Sequence, residues 1–368
     1  MRQHLKEVKS LTGVRGVAAI IIAIYHFGSG IDGSSLFAGF HLTGAYLSVD
    51  AFFILSGFVL SYNYNNRFSN SLDKGDYIDF IIRRIARIYP AYIGFSAIYL
   101  SKMIVNISGD NPLRLFDFSD YVANAFMATG WGLGIHPIVG PSWSISAEMA
   151  CYFIFPILLF TAQRHVRFMA FVAIGVMILA GNSGAGVNGA LDIIDSRSVW
   201  PLIRAFGGFL TGFILFQIDR ACRDRLTAIL DGLLLSALAI GALLWILDAS
   251  DLLKFVAIAM LIMGLTQDTP VARAMFGTKL VHYLGKISYS LYLCHALCIP
   301  VASRIGKILI PKIGMELAYC STFMIYMLMI MSLASIAYPV LEVGGKKLAL
   351  HLYGALTRKA RRLPEAKA

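Results

Sequence analysis

Charge is scarce in this sequence: Asp, Glu, Lys and Arg make up 14% of its 368 residues, against 58% hydrophobic residues. With a mean hydropathy of +0.70, too little polar surface is left to cover a soluble domain, and an all-α polytopic membrane protein is the class that survives. Acidic residues are scarcer still, 21 against 32 basic ones. The surplus bases cluster between apolar stretches, a pattern of membrane sidedness that argues against nucleic acid as a partner. Cysteine is sparse as well. Cys151, Cys222, Cys294, Cys298 and Cys320 lie mostly in apolar runs without zinc-ligand spacing, and adjacent Cys294 and His295 point to different helical faces, so neither disulfides nor a metal site is expected. No internal repeat is visible, which weighs against inverted-repeat transporters. No small-residue cleavage site follows the first apolar segment, so its charged lead of Arg2, Lys6 and Lys9 reads as a retained signal anchor.

What is present is a series of about ten apolar stretches of spanning character: residues 11–28, 42–62, 88–107, 143–162, 166–182, 198–218, 226–247, 251–267, 281–303 and 315–340. Bases fall on alternate connections. One side holds the N-terminal tail, Arg67, Lys74, Arg83, Arg84, Arg87, Arg164, Arg167, Arg220, Arg223, Arg225, Arg273, Lys279 and the C-terminal bases from Lys346 to Arg362. The other side holds Arg114, Arg197 and Lys254, with Arg304, Lys307 and Lys312 as the exception. An even span count then leaves both termini cytoplasmic. Residues 1–345 read as one membrane domain and 346–368 as a basic cytoplasmic tail facing anionic lipid. Loop 63–87 reads as polar, and loop 108–142 contains an amphipathic helix lying on the membrane. No soluble domain is expected beyond the last span.

Charges at membrane depth carry the functional information, because burying one costs several kcal/mol unless it is paired or used. In SLTGVRGVAAIIIAIYHFG, Arg15 and His26 are eleven positions apart. That spacing puts them within roughly 20° on one helical face and separates them by roughly 16 Å. SVDAFFILSGFVLS places Asp50, and PSWSISAEMACYFIFP places Glu148, at about the depth of His26. LVHYLGKISYSLYLCHALCIP brings His295 toward the same level, with Ser288 and Tyr292 on its face. Two imidazoles and two carboxylates thus converge on the outer half, while Arg15, Arg84, Arg87 and Lys286 gather at the inner half. A basic inner vestibule beneath an acid–base outer chamber suits transfer of a group across the bilayer. The same groups leave two other readings open: a proton-coupled transporter using Asp50, Glu148 and His295 as a relay, and a structural subunit that uses none of them.

These blocks, in this order and over essentially the whole chain, resemble the bacterial membrane-bound acyltransferase-3 family. Arg15 and His26 match its Arg-x10-His signature, Ser56, Gly57 and Phe58 its SGF core, and Arg84 and Arg87 its RxxR loop. Trp143, Ser144 and Glu148 belong to one further block, and Ser288, Tyr289 and His295 to another. Glu342 stands where the family has Glu-x-Pro, with Gly344 replacing the proline, and Cys294 replaces a frequent aromatic.

The resemblance implies an O-acyltransferase of the bacterial inner membrane, acting on envelope polysaccharide, lipopolysaccharide or secreted lipo-oligosaccharide. Its donor would be acetyl-CoA or another short acyl-CoA as co-substrate, with no tightly bound cofactor. Arg15, Arg84 and Arg87, with Lys286 and Glu342, would hold the donor. His26 would act as general base or acyl relay, oriented by Asp50 or Glu148 and joined by His295, while Trp143, Ser144 and Tyr292 would meet the acceptor. Neither the GxSxG elbow of serine hydrolases nor the HxxxxD spacing of soluble glycerolipid acyltransferases is present. Transfer is expected either directly to the sugar or through a separate protein.

Overall fold

The structure, a computed structural model, describes residues 7–29, 44–106, 116–162 and 164–362. Arg2, Lys6 and Arg114, used above for orientation, lie outside the described residues. Among the described residues there are thirteen α-helices and no strand.

Ten of the helices coincide with the ten apolar stretches: α1 (Lys9–Ser29), α2 (Ser48–Phe68), α3 (Lys74–Asn106), α5 (Ser142–Ala162), α6 (Val166–Gly181), α7 (Trp200–Thr227), α8 (Leu230–Ile246), α9 (Asp251–Gly264), α11 (Lys279–Ile313) and α12 (Met315–Ala337). Three were not expected as spans: α4 (Phe118–Ala125), α10 (Pro270–Phe276) and α13 (Gly345–Arg362). By length and composition, six helices among the described residues are able to cross a membrane: α1, α2, α5, α7, α11 and α12, while α6 and α8 are shorter apolar helices. Together they make a multi-pass helical membrane protein.

Two expectations about the connections change. Residues 63–87 are not all loop, because α3 begins at Lys74. Phe80, Ile88, Ala91, Tyr92 and Phe95 fall on one face and are buried, so the apolar stripe carries the helix through its charged RRIAR run. The C-terminal segment also continues as helix: after a π-helical turn over Tyr338–Gly344, α13 packs on α3. The amphipathic helix expected in loop 108–142 is α4, which leaves Phe118 and the following Phe126 exposed, at 84% and 76%.

Two helix pairs set the architecture, and small residues explain why. A Cβ on Gly16 of α1 would lie 2.5 Å from the Gly285 nitrogen of α11, and one on Gly285 would lie 1.9 Å from the Thr12 carbonyl oxygen. These backbones touch. Likewise α2 meets α7, where a Cβ on Gly57 would fall 2.0 Å from the Phe209 oxygen and one on Gly212 1.9 Å from the Ile54 oxygen. α2 is the most enclosed of the spanning helices, with 83% of its apolar window buried. The start of α1 is fixed separately, since the Ser10 backbone N–H and hydroxyl both donate to the Asp268 carboxylate.

Gly285→Ala is therefore expected to destabilise the protein by about 1–3 kcal/mol, read as a lower thermal midpoint in detergent. Gly175→Ala, on α6 where a Cβ meets nothing within 4 Å, should leave the midpoint unchanged; equal midpoints for the two variants would disprove the backbone contact.

Candidate active site

The face bearing the start of α1 is called proximal here and the opposite face distal. The distal half of the α1–α11 seam brings two histidines together. His26 Nδ1 lies 2.8 Å from His295 Nε2, with the rings near parallel at 8°. His295 is fully buried and its Nδ1 lies 2.6 Å from the Tyr292 carbonyl oxygen. A carbonyl only accepts, so Nδ1 of His295 carries the hydrogen and its Nε2 carries the lone pair. His26 Nδ1 must then donate to it, which leaves Nε2 of His26 as the basic nitrogen. His26 keeps part of its surface exposed. The pair thus presents one lone pair, held in place by a backbone carbonyl two hydrogen bonds away.

The carboxylates expected to orient His26 are engaged elsewhere. Asp50 is fully buried, and its two oxygens accept from Nε and Nη2 of Arg204 on α7 at 3.1 and 2.6 Å. Arg204 Nη2 also donates to the Tyr46 carbonyl, and its guanidinium lies 5.5 Å from the Trp143 ring. Trp143 is therefore the lid of a buried ion pair. Nor does Glu148 share the level of His26. It accepts from Ser56 and, at 2.6 Å, from Tyr152, and Ser56 lies six residues, or about 9 Å of helix, beyond Asp50. Ser144 and Tyr292 do meet, their hydroxyls 2.6 Å apart, and the Tyr292 hydroxyl also donates to the Pro141 carbonyl at 3.1 Å.

A proximal cavity of about 580 Å³ collects Arg15, Arg87, Lys286 and Glu342. Arg15 also lines a second cavity of about 40 Å³, which runs past Glu148 and Ser288 to Ser144 and Tyr292. Arg15 thus stands where the two meet, and its buried Nε has no hydrogen-bond partner. Glu342 is pinned by the Ser290 backbone N–H and hydroxyl at 3.0 and 2.5 Å. Arg84 stays outside this group: its guanidinium lies over Tyr64 and Phe80 and donates to the Tyr64 hydroxyl at 3.2 Å.

Sequence reasoning missed Arg204, Lys346 and Lys347. A lone arginine in WPLIRAFGGF was the available signal for the first, since a cation in an apolar helix requires a buried partner. Lys346 and Lys347 line the proximal cavity but directly follow the last apolar stretch, where bases are ordinarily membrane anchors.

A loop strap holds the distal end. Asp120 accepts from the His136 backbone N–H at 2.8 Å and faces its ring at 3.2 Å, while Asn124 bonds the His136 carbonyl and the Ile138 N–H. The strap ends at Pro141, whose carbonyl receives Tyr292. Burial opposes ionisation of Asp120, but these N–H donors hold its carboxyl below the usual range.

This arrangement can now be set beside known proteins. The family pattern described as an acyltransferase domain matches residues 8–340. The chain belongs to the acyltransferase-3 family. A Staphylococcus aureus (strain COL) protein named "Putative O-acetyltransferase SACOL0978" is 22% identical over 330 residues, covering 80% of this chain and 51% of that protein. A Bacillus subtilis (strain 168) protein named "Putative peptidoglycan O-acetyltransferase YrhL" is 24% identical over 188 residues, covering 48% and 27%. "Protein 2 in picA locus" of Rhizobium radiobacter is 30% identical over 154 residues, covering 38% and 75%. The chain spans about half the length of the Staphylococcus aureus relatives it matches. No solved structure matches it.

Two outcomes follow for this acyltransferase-3 chain. Asp50→Asn leaves Arg204 buried without its counter-charge and should cost about 3–5 kcal/mol, with much of the thermal midpoint recovered in Asp50→Leu/Arg204→Met. A loss of turnover at an unchanged midpoint would instead make Asp50 an orienting group. The depressed Asp120 carboxyl stabilises the strap above its unfolded pKa of about 4, and that contribution is lost as pH falls through its lower folded value. Amide exchange in 116–141 should accelerate at that acid limit in wild type, and Asp120→Asn should remove the pH step.

Proposed function

We propose that this domain is an O-acyltransferase, moving an acyl group, acetyl in the first instance, from cytoplasmic acyl-CoA to a hydroxyl of an envelope or secreted glycan. The proximal face is then cytoplasmic, with both termini on that side of about ten crossings of the bacterial inner membrane. The observation that carries the reading is the His26–His295 pair, one basic nitrogen on the same helix face as an Arg15 that joins a basic cavity to a narrow passage. The names of the relatives favour acetyl and, for the Bacillus subtilis protein, peptidoglycan.

In this reading the donor's phosphates lie among Arg15, Arg87 and Lys286, and its uncharged arm extends past Glu148 toward Ser144 and Tyr292. Roughly 16 Å of helix separates Arg15 from His26. An acceptor hydroxyl attacks the thioester carbonyl while His26 Nε2 removes its proton. The C–S bond then breaks, and the CoA thiolate takes that proton back from Nε2. His295 and the Tyr292 carbonyl hold the ring in the reactive tautomer and share the imidazolium charge, the task first expected of a carboxylate. A proton-coupled transporter would need Asp50, Glu148 and His295 in series, yet each is held by a different partner.

The test is CoA thiol release from acetyl-CoA by purified protein in lipid, with and without an envelope-glycan extract. His26→Ala should lower turnover by about 10²- to 10⁴-fold, and His295→Gln by less, with binding of CoA retained in both. Full turnover by His26→Ala would refute the assignment.

A further inference from the structure

Among the described residues, the proximal cavity is lined by five bases, Arg15, Arg87, Lys286, Lys346 and Lys347, and by two carboxylates. The carboxylates have partners of their own: Glu342 binds Ser290, and Glu7 receives Thr12 and faces His282, both at 2.9 Å. None of the five bases forms a hydrogen bond or ion pair with another described residue. Five bases against two carboxylates leave the cavity with an excess of positive charge, and such a cluster is stabilised when an anion of matching charge enters it.

Two of those bases come from outside the matched family domain, which ends at residue 340. They are placed by two contacts. Glu342, in the π-helical turn, is tied to Ser290, one turn along α11 from Lys286. Gly345 abuts Pro90, where a Cβ would lie 2.4 Å from the proline Cβ, and Pro90 is one turn along α3 from Arg87. The start of α13 is thereby wedged between Arg87 and Lys286. Farther along, Leu348, Leu352 and Leu356 form an exposed stripe at four-residue spacing, so this helix directs leucines outward while its first lysines line the cavity.

We propose that α13 is half of a phosphate clamp: Lys346 and Lys347 close over the clustered phosphates of a nucleotide-bearing donor whose other side is held by Arg87, Lys286 and Arg15. The clamp rests on the acyl-CoA reading and adds to it a specificity. The phosphorylated end of the donor, not its acyl end, supplies most of the affinity, and a segment beyond the shared domain provides it.

The experiment measures equilibrium binding of CoA, 3′-dephospho-CoA and pantetheine to the full chain in phosphatidylcholine nanodiscs, where no anionic headgroup competes. Wild type should bind CoA most tightly and pantetheine weakly. Lys346→Gln/Lys347→Gln should weaken CoA by about 10- to 100-fold, flatten the salt dependence, and leave pantetheine unchanged, while Lys346→Arg/Lys347→Arg retains CoA affinity. Tight CoA binding that the double glutamine variant leaves intact overturns the clamp and spares the acyl-CoA reading, as does equal weakening of CoA and pantetheine. Absence of CoA binding by wild type overturns both.

Discussion

The meeting of the two histidines depends on how closely α1 and α11 approach. Gly16 against Gly285 lets two backbones touch near the proximal end, and that contact sets the register of both helices for the rest of their length. His26 lies ten residues beyond Gly16, and His295 ten residues beyond Gly285. The same step along two helices running side by side brings the imidazoles level. Any side chain at the crossing would tilt one helix against the other, and a shift of about 1 Å at the histidines is enough to lose a hydrogen bond of 2.8 Å. Packing at one end therefore sets the hydrogen bond at the other.

The second ordering principle is the disposal of charge. Inside the membrane domain Asp50 is neutralised by Arg204, and Glu148 is satisfied by hydroxyls. The exceptions are the bases around the proximal cavity, which outnumber its two carboxylates, hydrogen-bond to neither of them and border an open space of about 580 Å³. Buried charges with partners hold the bundle together, and charges without partners await a ligand. That distinction separates Arg204 from Arg15 although both are arginines in apolar helices.

Much of this was legible in the sequence. The ten apolar stretches all became helices, because apolar length fixes a helix in lipid. Counting depth along two spans brought His295 toward the level of His26, and their direct hydrogen bond is visible only in the structure. Depth alone says nothing about azimuth, so Asp50 was a candidate to orient His26 although Arg204 of α7 claims it, and for Glu148 the depth itself is different, level with Ser56 and Tyr152. Arg84 and Arg87 illustrate the same limit: three residues apart on α3, one faces Tyr64 and Phe80 and the other the cavity. Lys346 and Lys347 were illegible for a different reason. Their role depends on where α13 folds back, which is decided by the tertiary contact between Gly345 and Pro90.

The narrowness of the passage beyond Arg15 has a consequence for the cell. At about 40 Å³ it is far smaller than the proximal cavity of about 580 Å³ that it adjoins, so among the described residues the space narrows sharply at Arg15. A wide bore would dissipate the proton gradient whenever the enzyme stood idle. In the acyl-CoA reading proposed above, an extended donor arm would have to widen this constriction in order to pass, which would tie opening of the passage to the presence of substrate.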